Sequence, residues 1–217
     1  MYQALSVHKR NRTKISILVP VWNEEVRLPT CLEHLLNYAS REGDLDAEII
    51  VCSDGCTDRT LEIVNDYAQK YSQIKVANWP ERLGKGGGTI NGLRIADGEI
   101  VVVFDADLST PANQISRLTS VIISGRADLA IGSRNVEGSI ITEQPPMIRK
   151  ILGKSFNFLF RMLFEMDFHD TQCGFKAIRT SVFRELSERM VIEGFAFDID
   201  LVVRAIRRGY KVIEVPI

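Results

Sequence analysis

Two aspartates separated by a single alanine, Asp105 and Asp107, follow an apolar run in the stretch IVVVFDADLSTP (100–111). On an extended chain, side chains at i and i+2 point the same way. Hard carboxylate oxygens so placed suit Mg2+ or Mn2+ that also holds a pyrophosphate. Helix capping is the competing reading. Ser109 or Thr110 ahead of Pro111 already supplies an N-cap with proline at the first helical position, so capping by itself does not require both acids. A lone DxD is a weak motif. Its weight comes from the acids expected around it: Glu24 in VPVWNEE, and Asp54 and Asp58 in SDGCTD. Glu24, Glu25 and Asp58 also suit the first turns of helices, where the dipole favours negative charge. Asp54 precedes Gly55 where the chain leaves a buried run. There a carboxylate can accept a hydrogen bond from the imide-like N–H of a nucleobase.

The segment RLGKGGGTINGL (82–93) is rich in glycine and opens a helix, so a backbone phosphate cradle is conceivable there. Its spacing is not that of a P-loop. It follows the third strand, whereas the dinucleotide-binding fingerprint follows the first. Lys85 suits either a phosphate contact or a solvated turn.

These clusters need elements to position them. Short apolar runs at 15–21, 47–53, 74–79, 99–104 and 127–133 read as strands. Amphipathic stretches at 28–39 and 57–71 read as helices between them. The alternation predicts an α/β fold with a mostly parallel sheet and helices on both faces. VWNEE, SDGCTD, DAD and GSR then all fall at the carboxyl ends of strands, the ligand-binding rim of such sheets. Beyond Gly138 come a loop, SIITEQPP, and an amphipathic helix over 147–164. Ile148, Ile151, Leu152, Phe156, Leu159, Met162 and Leu163 share one face of that helix, with Arg149, Lys150, Lys154 and Arg161 largely on the other. Phe160 and Phe164 lie toward the basic side. This suits a bilayer surface and, equally, packing under a loop or a partner subunit. A turn at DTQCGFK, helices at 181–189 and 197–208 and a strand at 211–217 complete the chain. Ending on a strand leads to the expectation that the natural chain continues.

With 217 residues, 45% of them hydrophobic, the chain suits one globular domain. A net charge of −1 gives no whole-chain reason to expect nucleic acid. Cys31, Cys52, Cys56 and Cys173 show no metal-ligand spacing, which points to free thiols in a reducing cytoplasm. No signal-like segment and no run of about 20 apolar residues occurs, so a membrane-spanning chain is not expected.

Taken in order, VPVWNEE, SDGCTD, RLGKGGG, DADLSTP, IGSRNVEG, DTQCGFK and FAFDIDL resemble the motifs of family 2 glycosyltransferases of the GT-A (Rossmann-like) fold. Within them the chain is most similar to the dolichyl-phosphate sugar synthases, the β-glucosyltransferase branch in particular. The resemblance covers nearly all of 15–217. It implies a polar leader (1–14) and one domain (15–217), with a nucleotide-sugar half at about 15–110 and an acceptor half at about 111–217. It further implies that Pro20, Trp22, Glu24, Asp54, Lys85, Asp105 and Ala106 lie along the nucleotide sugar and that Asp105 and Asp107 hold Mg2+ or Mn2+. Arg134, and second to it Arg149, would hold the acceptor phosphate. Asp107, Arg134 and Asp170 would carry catalysis, Asp170 by orienting or deprotonating the acceptor. Asp198 would lie on the acceptor side. Some relatives have a metal-binding glutamine where Ser109 stands, and many have glutamate where Asp200 stands.

The activity implied is inverting, metal-dependent transfer of a hexose to a polyprenyl phosphate at the cytoplasmic face of a membrane. UDP-glucose is the first choice of donor and GDP-mannose the second. A phosphate monoester with its second pKa near ~6 is largely ionised at neutral pH, so no strong general base is needed. Two alternatives are a sugar-phosphate nucleotidyltransferase, whose glycine-rich loop after strand one is missing here, and a non-catalytic nucleotide-sugar-binding module.

Overall fold

The computed structural model describes residues 12–41, 45–134, 136, 168–171, 173–188, 190, 194 and 196–217. The expected 147–164 helix, with Arg149, Phe160 and Phe164, lies outside the described residues. Seven strands form one sheet: β1 (Thr13–Val21), β2 (Leu45–Asp54), β3 (Ile74–Trp79), β4 (Ile100–Val103), β5 (Leu129–Ser133), β6 (Lys176–Arg179) and β7 (Val212–Pro216). Their order is β3-β2-β1-β4-β6-β5-β7. Every pairing is parallel except those of β6, which runs antiparallel to both β4 and β5.

The helices are α1 (Leu28–Arg41), α2 (Thr60–Lys70), α3 (Gly84–Arg94), α4 (Ile115–Ile123), α5 (Thr180–Ser187) and α6 (Phe197–Arg207). In the middle of the sheet successive residues are buried whichever face they point to, as in Ile15–Val19 of β1 and all of β4. Consecutive burial at period one means that both faces are covered, as the alternation of elements predicts. At about 1.5–3 kcal/mol for each fully buried Val, Ile or Leu, this double-sided core makes a rigid platform for the loops at its rim.

The structure departs from the sequence reading in three places that matter for the site. First, β1 starts at Thr13, two residues into the expected leader, because Thr13 and Lys14 continue the ladder opposite Leu45 and Asp46. Second, β6 follows the expected DTQCGFK turn, where no strand was read: KAIR is four residues long, shorter than a legible alternating pattern. Third, β4 ends at Val103, so Asp105 and Asp107 stand beyond the extended chain in a turn, and Leu108 follows at φ 56°. The extended-chain argument for their common direction therefore fails. Pro111 also precedes a 3-10 turn (Ala112–Gln114) as its N-cap residue instead of occupying its first helical position, and no side-chain cap bond forms there.

Candidate active site

The site is assembled at the carboxyl ends of β1, β2, β4 and β5. After β1, Asn23 adopts φ 54°, a left-handed conformation that asparagine tolerates better than most residues. Its Oδ1 accepts from the Thr57 amide at 2.8 Å. Next to it, the Glu25 amide donates to Asp58 Oδ2 (3.1 Å), and Glu25 Oε2 accepts from the Arg59 amide (3.0 Å). Asp58 Oδ1 accepts from the Thr60 amide at the start of α2. Asp58 thus begins α2 as expected. Glu25 does not begin α1; its carboxylate crosses to the loop in front of α2. Glu24 is gripped by Arg27, whose Nε and Nη2 each donate to a different carboxylate oxygen at 2.6 Å.

Trp22 is 44% exposed, and the Arg82 guanidinium lies 3.5 Å from its ring centroid. Cationic stacking of this kind makes a flat wall at the rim. Pro20 sits one turn of the pleat deeper, opposite Cys52 in β2. Asp54 is buried, and its two oxygens accept from the Leu83 and Gly84 amides at 2.6 and 2.8 Å. It therefore anchors the N-terminus of α3, satisfying amides that the glycine-rich reading offered to a phosphate. A nucleobase could reach only its remaining lone pairs. Gly55, at φ 62°, is required here, since a Cβ would come within 2.7 Å of the Arg82 amide nitrogen.

Asp105 and Lys85 meet at the centre. Lys85 Nζ lies 3.0 Å from Asp105 Oδ1 and 3.2 Å from Asp198 Oδ2. Burial works against its charge, but Asp198 and Asp105 outweigh it and raise the ammonium's pKa. Asp198 Oδ1 accepts from Lys176 Nζ at 2.8 Å, and Lys176 is wholly buried and also donates to the Cys173 carbonyl. Asp198 was expected on the acceptor side. It is buried in the first turn of α6 and is the shared anion of two lysines. Asp200 binds Arg204 one turn on, at 2.7 Å. Gly174 closes the cluster: a Cβ there would lie 2.1 Å from Asp105 Oδ2 and 2.5 Å from Lys85 Nζ.

Asp107 is exposed, and its Oδ1 accepts from the Ser109 amide at 2.9 Å, which closes a turn ahead of the 3-10 segment without capping a helix. Beyond the end of β4, Asp105 and Asp107 lie two residues apart on one turn of the rim. Burial pushes the Cys31 thiol up to about 12, and after it Asp107, Glu24 and Asp105 all act on that same thiol. Across the rim Asp107 also acts on Arg134. Arg134 is held by Asp170, whose Oδ2 accepts from both its amide and its Nε at 3.3 Å. Asp170 is itself fixed from behind: Glu214 of β7 accepts from its amide at 2.7 Å and from the His169 amide.

A divalent metal fits this set. Asp105 already presents its carboxylate to a cation, and Asp107 leaves Oδ2 outside the Ser109 contact. Among the described residues no cluster of three His, Cys, Asp or Glu forms a closed metal cage. Two carboxylates with the balance supplied by phosphate and water is the usual way Mg2+ is held. Sequence reasoning gave no role to Arg82, Lys176, Gly174 or Glu214. A lysine flanked by Phe175 and Ala177, both buried, was the legible sign that Lys176 needs an internal partner.

A sheet with this strand order and an acidic turn beyond a central strand defines a GT-A glycosyltransferase fold. The chain belongs to glycosyl transferase family 2, whose profile matches residues 16–187. Over 220 residues it is 31% identical to a dolichyl-phosphate beta-glucosyltransferase of Trichomonas vaginalis, covering 98% of this chain and 67% of that one. Against a dolichyl-phosphate beta-glucosyltransferase of Drosophila melanogaster it is 32% identical over 204 residues, covering 88% of this chain and 62% of the relative. The chain thus spans about two thirds of the length of these relatives. Glucosyl-3-phosphoglycerate synthase from Mycobacterium tuberculosis, in complex with Mn2+, UDP-glucose and phosphoglyceric acid, superposes with a TM-score of 0.70. It is 20% identical and covers 94% of this chain and 69% of that one.

Proposed function

We propose that this protein transfers glucose from UDP-glucose to a polyprenyl phosphate with inversion at the anomeric carbon. The observation that carries the reading is the presence on one rim of Asp105, ion-paired with Lys85 at 3.0 Å beyond β4, and of Arg134, held by Asp170 at the end of β5. One side is built to hold a cation and the diphosphate; the other presents a guanidinium to a second phosphate.

In this reading Trp22 and Arg82 flank the nucleotide, Pro20 and Ala106 line its floor, and Glu24 is kept in place by Arg27. Asp105 and Asp107 would hold a divalent ion, which when bound would supply charge compensation for the leaving diphosphate. Lys85 adds a second positive charge beside it. Arg134 binds the acceptor phosphate, and Asp170 orients the guanidinium; burial opposes its charge, but Asp170 outweighs it and raises its pKa, so it stays cationic. The acceptor oxygen attacks the anomeric carbon while the bond to the diphosphate breaks. Its electron pair leaves with the nucleoside diphosphate, and no proton need be removed from an already ionised phosphate. Asp170 is therefore a positioning residue, and the deprotonating role considered for it is unnecessary.

A polyprenyl-phosphate acceptor places the work at a membrane surface, with the catalytic domain at its cytoplasmic face. No helix among the described residues is long and apolar enough to cross a bilayer. Sequence identity to the beta-glucosyltransferases favours glucose over mannose. The test is product analysis: protein, UDP-glucose, Mn2+ and a polyprenyl phosphate should yield a β-linked glucosyl lipid. An α-linked product, or transfer from GDP-mannose in preference to UDP-glucose, contradicts the reading.

A further inference from the structure

Four side chains of alternating charge run from the rim into the core: Asp105, Lys85, Asp198 and Lys176. Of the four, Lys176 alone had no role in the sequence reading. The inner half is unusual in its own right. Lys176 has no exposed surface and Asp198 is almost fully buried, and a buried charge pair of this kind is a weak source of stability. Its geometry points outward, because Asp198 spends one oxygen on Lys176 and the other on Lys85. Lys85 is thereby held where its ammonium meets Asp105, and both groups fill the space that a side chain at Gly174 would take.

We propose that Lys85 is a built-in counter-ion of Asp105, held at its post by the buried Asp198–Lys176 pair, which an incoming divalent cation must displace. The proposal deepens the reading of Asp105 and Asp107 as metal ligands and rests on it. Metal alone gains one carboxylate only by breaking an ion pair and leaving the Lys85 ammonium with Asp198 alone. A diphosphate arriving with the metal gives Lys85 a new anion, so the pair is exchanged at little cost. Metal and nucleotide therefore bind with positive cooperativity, and Lys85 carries much of the coupling. Coupling is reciprocal, so UDP tightens Mn2+ by the same factor that Mn2+ tightens UDP.

The inner pair contributes by holding Lys85 between two carboxylates. Removing Asp198 and Lys176 together leaves no buried charge unpaired. Lys85 would then have Asp105 as its sole carboxylate and would hold it more firmly against the metal.

The experiment is Mn2+ titration of the whole chain, followed by the loss of free-ion paramagnetic signal, with and without UDP and with no sugar transfer involved. Thermal melts of each variant establish that it is folded. Wild type should bind Mn2+ at least about tenfold more tightly with UDP than without. In Lys85→Gln, nucleotide-free binding should tighten several-fold and the UDP enhancement should shrink by about tenfold or more. In Lys176→Met/Asp198→Asn, nucleotide-free binding should weaken relative to wild type. If wild type and Lys85→Gln bind Mn2+ equally with and without UDP, the counter-ion proposal is overturned while the metal reading stands. Should neither bind Mn2+ even with UDP, both are overturned. A double variant with wild-type nucleotide-free affinity overturns the role given to the buried pair.

Discussion

The carboxylate of Asp105 and the missing side chain of Gly174 depend on each other. Adding one methyl at Gly174 would place a carbon within 2.1 Å of Asp105 Oδ2, well inside contact distance, with the Lys85 head group beside it. Both groups are side-chain ends that can move, so the cost falls on the geometry of the site and less on the fold. Gly174→Ala should lower kcat by at least about tenfold with a melting temperature close to wild type, checked by steady-state kinetics and calorimetry. At the nucleotide wall, Arg82→Ala removes the stacked cation from Trp22 and should raise the KM for UDP-glucose with a smaller effect on kcat. The cysteines offer a third residue-scale test. Burial pushes the thiols of Cys52 and Cys31 up to about 12 and that of Cys173 up to about 11, whereas Cys56 is partly exposed. Iodoacetamide at pH 8 should therefore modify Cys56 first in the native protein, as read by mass spectrometry.

At the scale of elements, the loop after β1 and the start of α2 form one unit. Asn23, Glu25 and Asp58 supply side-chain oxygens to amides across the gap between them. Asp58→Ala should lower the melting temperature and raise the KM for donor, because it frees both the Glu25 amide and the first turn of α2; Asp58→Asn should retain most of the cap. Asp54 acts likewise for α3, which explains why an acid sits at the end of a buried strand before any ligand is considered. The same comparison shows what can be read from sequence. β1 to β3 are legible because most of their residues are apolar, without interruption over Ile17–Val21 in β1 and Ile49–Cys52 in β2. The four-residue β6 is not, for its identity comes from the two neighbours it bridges. The DAD turn is legible in chemistry but not in shape: composition marks the acids, whereas the left-handed Leu108 that redirects the chain is fixed by tertiary contacts. Partnerships such as Lys176 with Asp198, 22 residues apart, and Asp170 with Glu214, 44 apart, leave no local trace at all.

For the molecule as a whole, the sheet separates function from stability. The rim holds the site, and at the opposite end Glu48 of β2 ties three segments together. It accepts from Ser16 and from the Asp97 amide, and pairs with Lys75 at 2.7 Å. Burial opposes its ionisation, yet the Lys75 and Ser16 bonds outweigh this and hold its pKa below the ordinary value. A carboxyl depressed in the folded state contributes stability that is full above its unfolded value, about 4.3, and is lost as pH falls through the folded one. The difference in melting temperature between wild type and Glu48→Gln should accordingly be greatest near pH 7 and shrink below about pH 4. A gap that widens in acid would reverse the sign and refute the assignment. The proposed chemistry puts a cation that compensates the departing diphosphate at the rim's acidic turn. The measurement is glucosyl transfer from UDP-glucose to a polyprenyl phosphate after exhaustive chelation, with Mn2+ restored in steps, for wild type, Asp105→Asn and Asp107→Ala. Transfer that vanishes on chelation, returns with Mn2+ in wild type, and stays at least about a hundredfold lower in both variants is the predicted result; full transfer without a divalent ion, or in Asp107→Ala, would contradict it.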